Sequence, residues 1–139
     1  MTIHFSTIRR ETTSHTDILD ITDEVQTCVT NSGVRDGLVT IGVAGSTASV
    51  TTIEFESGVV GDLRRAIERI APAELDYEHD RRWGDGNGYS HVRAALLGPS
   101  VSVPCREGRL VLGTWQQLVL CDFDNRGRRR EVYVQVMGE

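Results

Sequence analysis

Long apolar segments are missing from this sequence of 139 residues. No apolar run approaches the roughly 20 residues that span a bilayer, so we expect no contact with membranes. The first residues also lack a basic region followed by an apolar one, and we therefore expect no secretory leader. Together these absences favour a protein of the cytoplasm.

Cysteine is scarce as well. Cys28, Cys105 and Cys121 are widely spaced and form no C-x-x-C pair. Such an odd, scattered set excludes a disulfide framework or a zinc knuckle and fits reduced thiols in a cytoplasmic protein. Cys105 follows Pro104 near a turn, but nothing adjacent in sequence would activate its thiol, so a nucleophilic role is the weaker interpretation.

An excess of positive charge is also lacking. Fifteen basic and 20 acidic side chains give a net charge of −5, whereas binding to a phosphate backbone requires a basic face. We therefore expect no nucleic-acid partner. The one basic run, Arg126–Arg130, is interpreted as the solvated tip of a hairpin between two strands, with phosphate binding as the alternative.

Alternating and β-branched apolar residues predict several short strands in one domain spanning residues 1–139. One helix is predicted to be capped by Thr22 and to end at Gly33, and a second, clearly amphipathic helix runs from Val59 to Ile70 before Pro72. These features predict an α+β fold, mainly an antiparallel β-sandwich with two main helices packed against it. Strands are predicted at 3–9, 38–43, 50–55, 100–103, 109–112, 117–123 and 131–137, with a hairpin at 124–127.

A charged, glycine-rich segment, residues 78–89, has no periodicity and is predicted to be a long loop of the kind that often carries function. Two histidines and several carboxylates in or near it suggest a divalent-metal or acid–base site. The alternative is that each histidine makes ordinary hydrogen bonds; His4 and His15 have no partner pattern and are predicted to be incidental. The candidate site residues are His79, His91, Asp80, Asp85 and Glu54.

Small and hydroxylated residues at 45–49 leave two interpretations open. Their backbone amides and hydroxyl groups would suit an anion cradle, or they could form a tight passage between two strands with internal hydrogen bonds. A second unusual segment ends in G-T-W-Q at 113–116. Trp115 and Gln116 carry polar groups that need partners when buried, so they indicate a site rather than core filler.

Four blocks of the sequence, taken in order, resemble the YjbQ-like family, whose members are often described as secondary thiamine-phosphate synthase enzymes. The resemblance covers nearly the whole chain and implies a compact α+β sandwich that forms a homotrimer. It also implies a polar pocket near subunit boundaries and a weak activity that forms thiamine phosphate. The blocks are G-S-T-A-S-V-T (45–51), Y-E-H-D (77–80), S-H-V-R-A-A-L-L-G-P-S (90–100) and G-R-L-V-L-G-T-W-Q (108–116).

Position by position, the resemblance implies roles for individual residues. A divalent metal, Mg²⁺ or Zn²⁺, would lie on His79 and His91. The implied catalytic residues are His79, His91, Asp80 and Glu54. The implied binding residues for a small phosphorylated ligand are Ser46, Thr47, Ser49, Trp115 and Gln116.

Two departures from the family pattern bear on activity. Gly45 stands where the family has the histidine of H-T-T-A or H-T-S-A, and the family's N-E-N is Ile53-Glu54-Phe55 here. Loss of a metal ligand or general base lowers affinity or rate by orders of magnitude. Two functions therefore stay open: an enzyme that joins a pyrimidine pyrophosphate to a thiazole phosphate, and a non-catalytic trimeric binding or scaffold protein.

Overall fold

Eight strands and four helices form the protein in the computed structural model, which describes residues 1–139. The strands are β1 (Thr2–Glu11), β2 (Asp17–Asp20), β3 (Gly37–Val43), β4 (Ala48–Ile53), β5 (Ser100–Arg106), β6 (Arg109–Leu110), β7 (Gln117–Asp122) and β8 (Arg129–Gly138). The helices are α1 (Thr22–Ser32), α2 (Ser57–Ile70), α3 (Glu78–Trp83) and α4 (Gly88–Leu97). None of the helices is long and apolar enough to cross a membrane.

The strands form two antiparallel sheets. A five-stranded sheet has the order β1-β8-β3-β5-β6, and a three-stranded sheet has the order β2-β7-β4. Alternate residues of each strand face the space between the sheets, where β-branched side chains such as Val39, Ile41 and Val134 are completely buried. Helix α1 adds Val25 and Val29 to this core. The predicted α+β fold with antiparallel sheets is confirmed.

A second apolar cluster lies between the three-stranded sheet and helices α2 and α4. It combines Ile18, Val119 and Phe123 with Ile67 of α2 and Ala94 of α4. Because α4 packs on β4, its side chains are held next to the connection between β3 and β4. This packing places the candidate site described below.

The predicted amphipathic helix is present, and it begins two residues earlier than expected. The carboxylate of Glu56 accepts hydrogen bonds from the amides of Gly58 and Val59 at 2.8 and 2.7 Å. Such bonds satisfy the free amides of the first turn, so the helix can start at Ser57. Thr22, in contrast, is not the cap predicted for α1. Its hydroxyl group instead donates a hydrogen bond to the Asp20 carboxylate and accepts one from the amide of Leu118.

The prediction of an irregular loop over residues 78–89 is wrong, and so the number of helices rises from two to four. Helix α3 occupies 78–83 and α4 starts at Gly88. A six-residue helix is too short to show periodicity. The Asp80 carboxylate accepts the amide of Gly88 at 2.8 Å and thereby joins the two helices.

The predicted hairpin at 124–127 is also wrong, because β7 and β8 belong to different sheets. Residues 124–127 form a corner that passes from one sheet to the other. The basic run beside it is only partly solvated: Arg126 and Arg129 are exposed, whereas Arg130 is buried. Arg130 lies on the core face of β8 with Val132 and Val134, since alternate residues of a strand point to the same side.

Candidate functional site

Helices α3 and α4 bring two histidines and two carboxylates together. The ring centroids of His79 and His91 are 4.4 Å apart. The Nδ1 atom of His79 lies 3.5 Å from Oδ1 of Asp80 and 3.3 Å from Oδ1 of Asp85. We call these four residues the His79–His91 cluster. The expected convergence of the two histidines is thus present within one chain.

Local geometry fixes this cluster. Asp85 follows α3, and its carboxylate accepts a hydrogen bond from the amide of Asn87 at 3.2 Å. The carboxylate of Asp80 accepts a hydrogen bond from the amide of Gly88. Gly88 must be a glycine because a Cβ atom there would lie 2.5 Å from Cβ of Tyr77. The close approach of α4 to the segment before α3 therefore depends on this residue.

Three residues of the cluster, His79, Asp80 and Asp85, offer donor atoms that fit a divalent cation, whereas the resemblance implied His79 and His91 as the ligands. One ligand atom each from His79, Asp80 and Asp85 lies within 4.8 Å of the others. Nδ1 of His79 is buried and has no hydrogen-bond partner. A buried, unpartnered polar atom calls for an explanation, and a metal ion would supply one. One imidazole with two carboxylates suits Zn²⁺ or Mn²⁺ better than Mg²⁺, which prefers oxygen ligands alone.

His91 also lines an open pocket of about 270 Å³ at the β3–β4 connection. Its walls include Gly45, Ser46, Ala94 and Pro99. Ligand pockets for whole small molecules usually measure roughly 300 to 1,000 Å³. The pocket is therefore large enough for a phosphate-bearing group and too small for a two-ring molecule.

Arg130 fills the space beside Gly45. A Cβ atom on residue 45 would lie 2.8 Å from Nη1 of Arg130. The Nε and Nη2 atoms of Arg130 are bonded to Asp122 and Thr47, whereas Nη1 has no partner in the chain. A guanidinium group thus lies behind Gly45, the position at which the family resemblance implies a histidine.

Thr47 and Ser49 direct their hydroxyl groups to internal partners. The hydroxyl of Thr47 donates to Asp124 at 2.9 Å and accepts Nη2 of Arg130, and the hydroxyl of Ser49 donates to the carbonyl of Ala94. Both residues are buried. Ser46 is exposed and lines the pocket, so it is the one hydroxyl of the three that can reach a ligand.

The network behind the pocket is charged. Burial alone would raise the pKa of Asp124, but hydrogen bonds from Thr47, the Arg126 amide, Arg128 and Asn87 together lower this pKa below its ordinary value of 3.8. Asp124 is consequently ionised over the whole physiological range. The negative charge is offset by Arg128, whose Nη2 atom lies 3.1 Å from Oδ2 of the carboxylate.

Glu54, Trp115 and Gln116 lie at the other end of β4. Gln116 donates to the hydroxyl of Thr52 at 3.2 Å and accepts the amide of Gly113. Trp115 is 71% exposed, and the Glu54 side chain is exposed without an ion pair. At about 3.3 Å per residue, Glu54 is roughly 20 Å along the strand from Ala48. Within one chain these residues, which we call the far-end group, do not join the His79–His91 cluster.

The two apolar residues of the Ile53-Glu54-Phe55 segment can now be located. Ile53 packs into the apolar cluster between the three-stranded sheet and α2, so it does not line the pocket. Phe55 lies beyond the end of β4, is 42% exposed, and its amide is bonded to Gln117. Arg130 was not among the candidates, although the pattern of alternating core residues 130, 132, 134 and 136 could have placed it inside.

Comparison with known proteins identifies the family to which the chain is similar. The family model described as "UPF0047 protein YjbQ-like" matches residues 6–139. A UPF0047 protein of Archaeoglobus fulgidus is 38% identical over 122 residues, which cover 88% of this chain and 93% of the relative. The UPF0047 protein YugU of Bacillus subtilis is 34% identical over 133 residues, covering 95% and 98%.

Solved structures extend the similarity to the fold. A crystal structure from Sulfolobus solfataricus, described as a YbjQ-like protein of unknown function, superposes with a TM-score of 0.93. It is 34% identical and covers 99% of this chain and 98% of its own. These matches extend over almost the full length of both partners, and the chain therefore belongs to the YjbQ-like UPF0047 family.

Proposed function

We propose that this protein is an enzyme of the thiamine-phosphate synthase type, which joins a pyrimidine pyrophosphate to a thiazole phosphate and releases pyrophosphate. The observation that supports the proposal is the buried, unpartnered Nδ1 atom of His79 between the carboxylates of Asp80 and Asp85. His91 lies beside His79 and also lines a pocket that is large enough for a phosphate group.

The residues of the cluster and of the adjoining pocket have different roles in such a reaction. His79, Asp80 and Asp85 hold a divalent cation, which would neutralise charge on the departing pyrophosphate. His91 lines the adjoining pocket and donates a hydrogen bond to a phosphate oxygen there. The exposed hydroxyl of Ser46 contributes a further donor to the same pocket.

Arg130 supplies a hydrogen-bond donor next to this pocket in our proposal, although its charge is paired with Asp122. Its Nη1 atom has no partner in the chain and lies directly behind Gly45. Guanidinium groups bind phosphate through short, charge-assisted hydrogen bonds. Arg130 would thus compensate in part for the imidazole that the family resemblance implies at position 45.

A homotrimer would complete the site. The pocket of about 270 Å³ accommodates only part of the two substrates. The far-end group presents an exposed indole and an exposed carboxylate without an internal partner. We propose that Glu54, Trp115 and Gln116 of a second copy lie over the His79–His91 cluster and contact the organic part of the substrate.

The alternative is a trimeric binding or scaffold protein without turnover. Gly45 favours it, because a cluster with two imidazoles has one general base or metal ligand fewer than the family pattern. Such a protein would still bind a small phosphorylated ligand at Ser46 and His91. It would bind that ligand without converting it.

Metal binding is the first test of the proposed function. We expect about one equivalent of Zn²⁺ or Mn²⁺ by calorimetric titration of the apo protein, and an affinity at least about tenfold weaker in Asp85→Asn. Asp76→Asn is the matched control, because Asp76 is an exposed carboxylate of the same region that pairs with Arg81 instead. Equal affinity in both variants would remove the cation site from the proposal.

Turnover separates the two functions. Purified protein with the cation and both substrates should form thiamine phosphate, and His91→Ala should lower the rate by about 10²-fold or more, as for loss of a hydrogen-bond donor that stabilises charge in the transition state. Light scattering should give three times the mass of the chain. Ligand-induced thermal stabilisation without product, lost in His91→Ala, would instead establish the binding protein.

A further inference from the structure

A second pocket of about 270 Å³ lies on the face of α4 that points away from His91. Tyr89 and Arg93 are four residues apart and share one face of the helix, whereas His91 is two residues from each and lies on the other side. The pocket is open to solvent and is bounded by the β1–β2 connection and by α2. Its walls include His15, Thr16, Arg64, Glu68, Tyr89 and Arg93.

Positive charge is in excess in this pocket. The carboxylate of Glu68 is fully engaged, since one oxygen binds Arg93 and the other accepts the amide of Ala73. Arg65 is paired with Asp62 at the surface. Arg64 has no ion pair and no hydrogen bond within the chain, so its charge is uncompensated.

Hydrogen-bond donors converge on the same space. The side chain of Arg93 is 5% exposed and donates to Ala71, Thr16 and Glu68. A guanidinium carries five N–H groups, so two remain for a ligand. The guanidinium of Arg93 packs over the ring of Tyr89, with Cζ 4.8 Å from the ring centroid, and this contact helps to fix its position.

The connection that bounds the pocket is strained. His15 and Thr16 have φ angles of 62° and 61°, in the left-handed region, which the β-branched Thr16 in particular rarely adopts. This conformation places Nδ1 of His15 3.4 Å from the hydroxyl of Tyr89 and the Thr16 hydroxyl 3.0 Å from Nη1 of Arg93. The other ring nitrogen of His15 has no partner. Strain of this kind is retained where a ligand site needs it.

We propose that this pocket is a second anion site, which binds inorganic phosphate or the phosphate group of a monoester. Arg64 provides the uncompensated charge, and His15 and Arg93 provide the directed donors. A tetrahedral dianion with four acceptor oxygens matches a pocket whose free polar groups are donors. The site is independent of the His79–His91 cluster and does not require the proposed function to hold.

Titration with inorganic phosphate at pH 7, followed through the histidine ring C–H resonances in NMR spectra, tests the site. We expect saturable shifts of the His15 resonances in the wild type and in His91→Ala. Arg64→Ala should weaken this response about tenfold, as expected for loss of one charge-assisted bond. Arg69→Ala is the matched control, because Arg69 is an exposed arginine without an ion pair on the same helix, and it should change the affinity less than twofold.

Three results would overturn the proposal. One is a His15 response that is equally strong in Arg64→Ala and Arg69→Ala; another is an equal response to acetate at the same concentration. The third is a titration in which only His79 or His91 shifts, which would leave phosphate at the His79–His91 cluster alone. If Arg64→Ala does not fold, as judged by circular dichroism, Arg64→Gln replaces it with the same expected loss.

Discussion

The buried carboxylate of Asp122 binds the guanidinium of Arg130 through two hydrogen bonds, with Nε 2.8 Å from Oδ2 and Nη2 2.9 Å from Oδ1. Asp122 ends β7 in the three-stranded sheet, and Arg130 is the second residue of β8 in the five-stranded sheet. The pair therefore fastens the two sheets to each other at the corner where the chain crosses between them. Thr12 adds a third bond to the same carboxylate at 2.6 Å.

Arg130→Met should lower the free energy of unfolding by about 3 to 5 kcal/mol, because it leaves Asp122 buried without its counter-charge. Urea denaturation followed by circular dichroism measures the change. Arg129→Met removes the neighbouring exposed arginine and should stay within about 0.5 kcal/mol of the wild type. A loss below 1 kcal/mol in Arg130→Met would mean that the pair does not hold the corner.

Gly45→Ala should destabilise the protein by about 1 to 3 kcal/mol, the usual range for overpacking. The new methyl group would lie 2.8 Å from Nη1 of Arg130, which Asp122 and Thr47 hold in place. Gly42→Ala is the control, since its Cβ atom would have ordinary contacts of 3.5 Å or more. Equal unfolding free energies for the two variants would show that Arg130 moves aside freely.

Acid should destabilise the protein through Asp124. Because the folded-state pKa of Asp124 lies below its unfolded value, its ionised form contributes stability that is fully present above about pH 4 and is lost as the pH falls through the folded pKa. Urea midpoints measured from pH 7 down to pH 2.5 should therefore fall in this window, and the fall should be smaller in Asp124→Asn.

Asp76 provides the contrast for this experiment. A hydrogen bond from Arg81 lowers the pKa of Asp76 as well, but both groups are at the surface. Surface pairs contribute little to stability, so Asp76→Asn should leave the acid limb of the curve unchanged. A change as large as that of Asp124→Asn would contradict the role assigned to burial.

Thiol labelling should report opening of the core at Cys121. Burial raises the pKa of Cys121 to about 12, so about one thiol in ten thousand is ionised at pH 8, and the side chain is fully buried. Alkylation at pH 8, mapped by mass spectrometry, should modify half-buried Cys28 first and Cys121 only in urea. Rapid native labelling of Cys121 would reveal local opening between β7 and α2.

The strands and the amphipathic helix could be predicted because each has a clear local signal. The alternation of Val132, Val134 and Val136 is visible in the sequence, as is the apolar face of α2. The sheet to which a strand belongs has no such local signal. The sequence of the Asp124–Gly127 turn is typical of a hairpin. It forms a corner instead, because β7 pairs with β4 in one sheet and β8 pairs with β3 in the other.

The candidate site was predictable in part for a similar reason. His79, Asp80 and His91 lie close together along the chain, and two short helices bring them into contact. Arg130 comes from a distant strand, and its burial depends on Asp122, which no sequence motif connects to it. The separation of Glu54 from His91 likewise follows from the length of β4.

The position of β8 also governs how the protein can fold. It is the last strand along the chain, yet it lies between β1 and β3, and its register pairs Thr2 with Gly138. The five-stranded sheet therefore cannot assemble until residues 129–138 have left the ribosome. Because such contacts between distant residues slow folding, we expect β1 and β3 to need protection until β8 is available to pair with them.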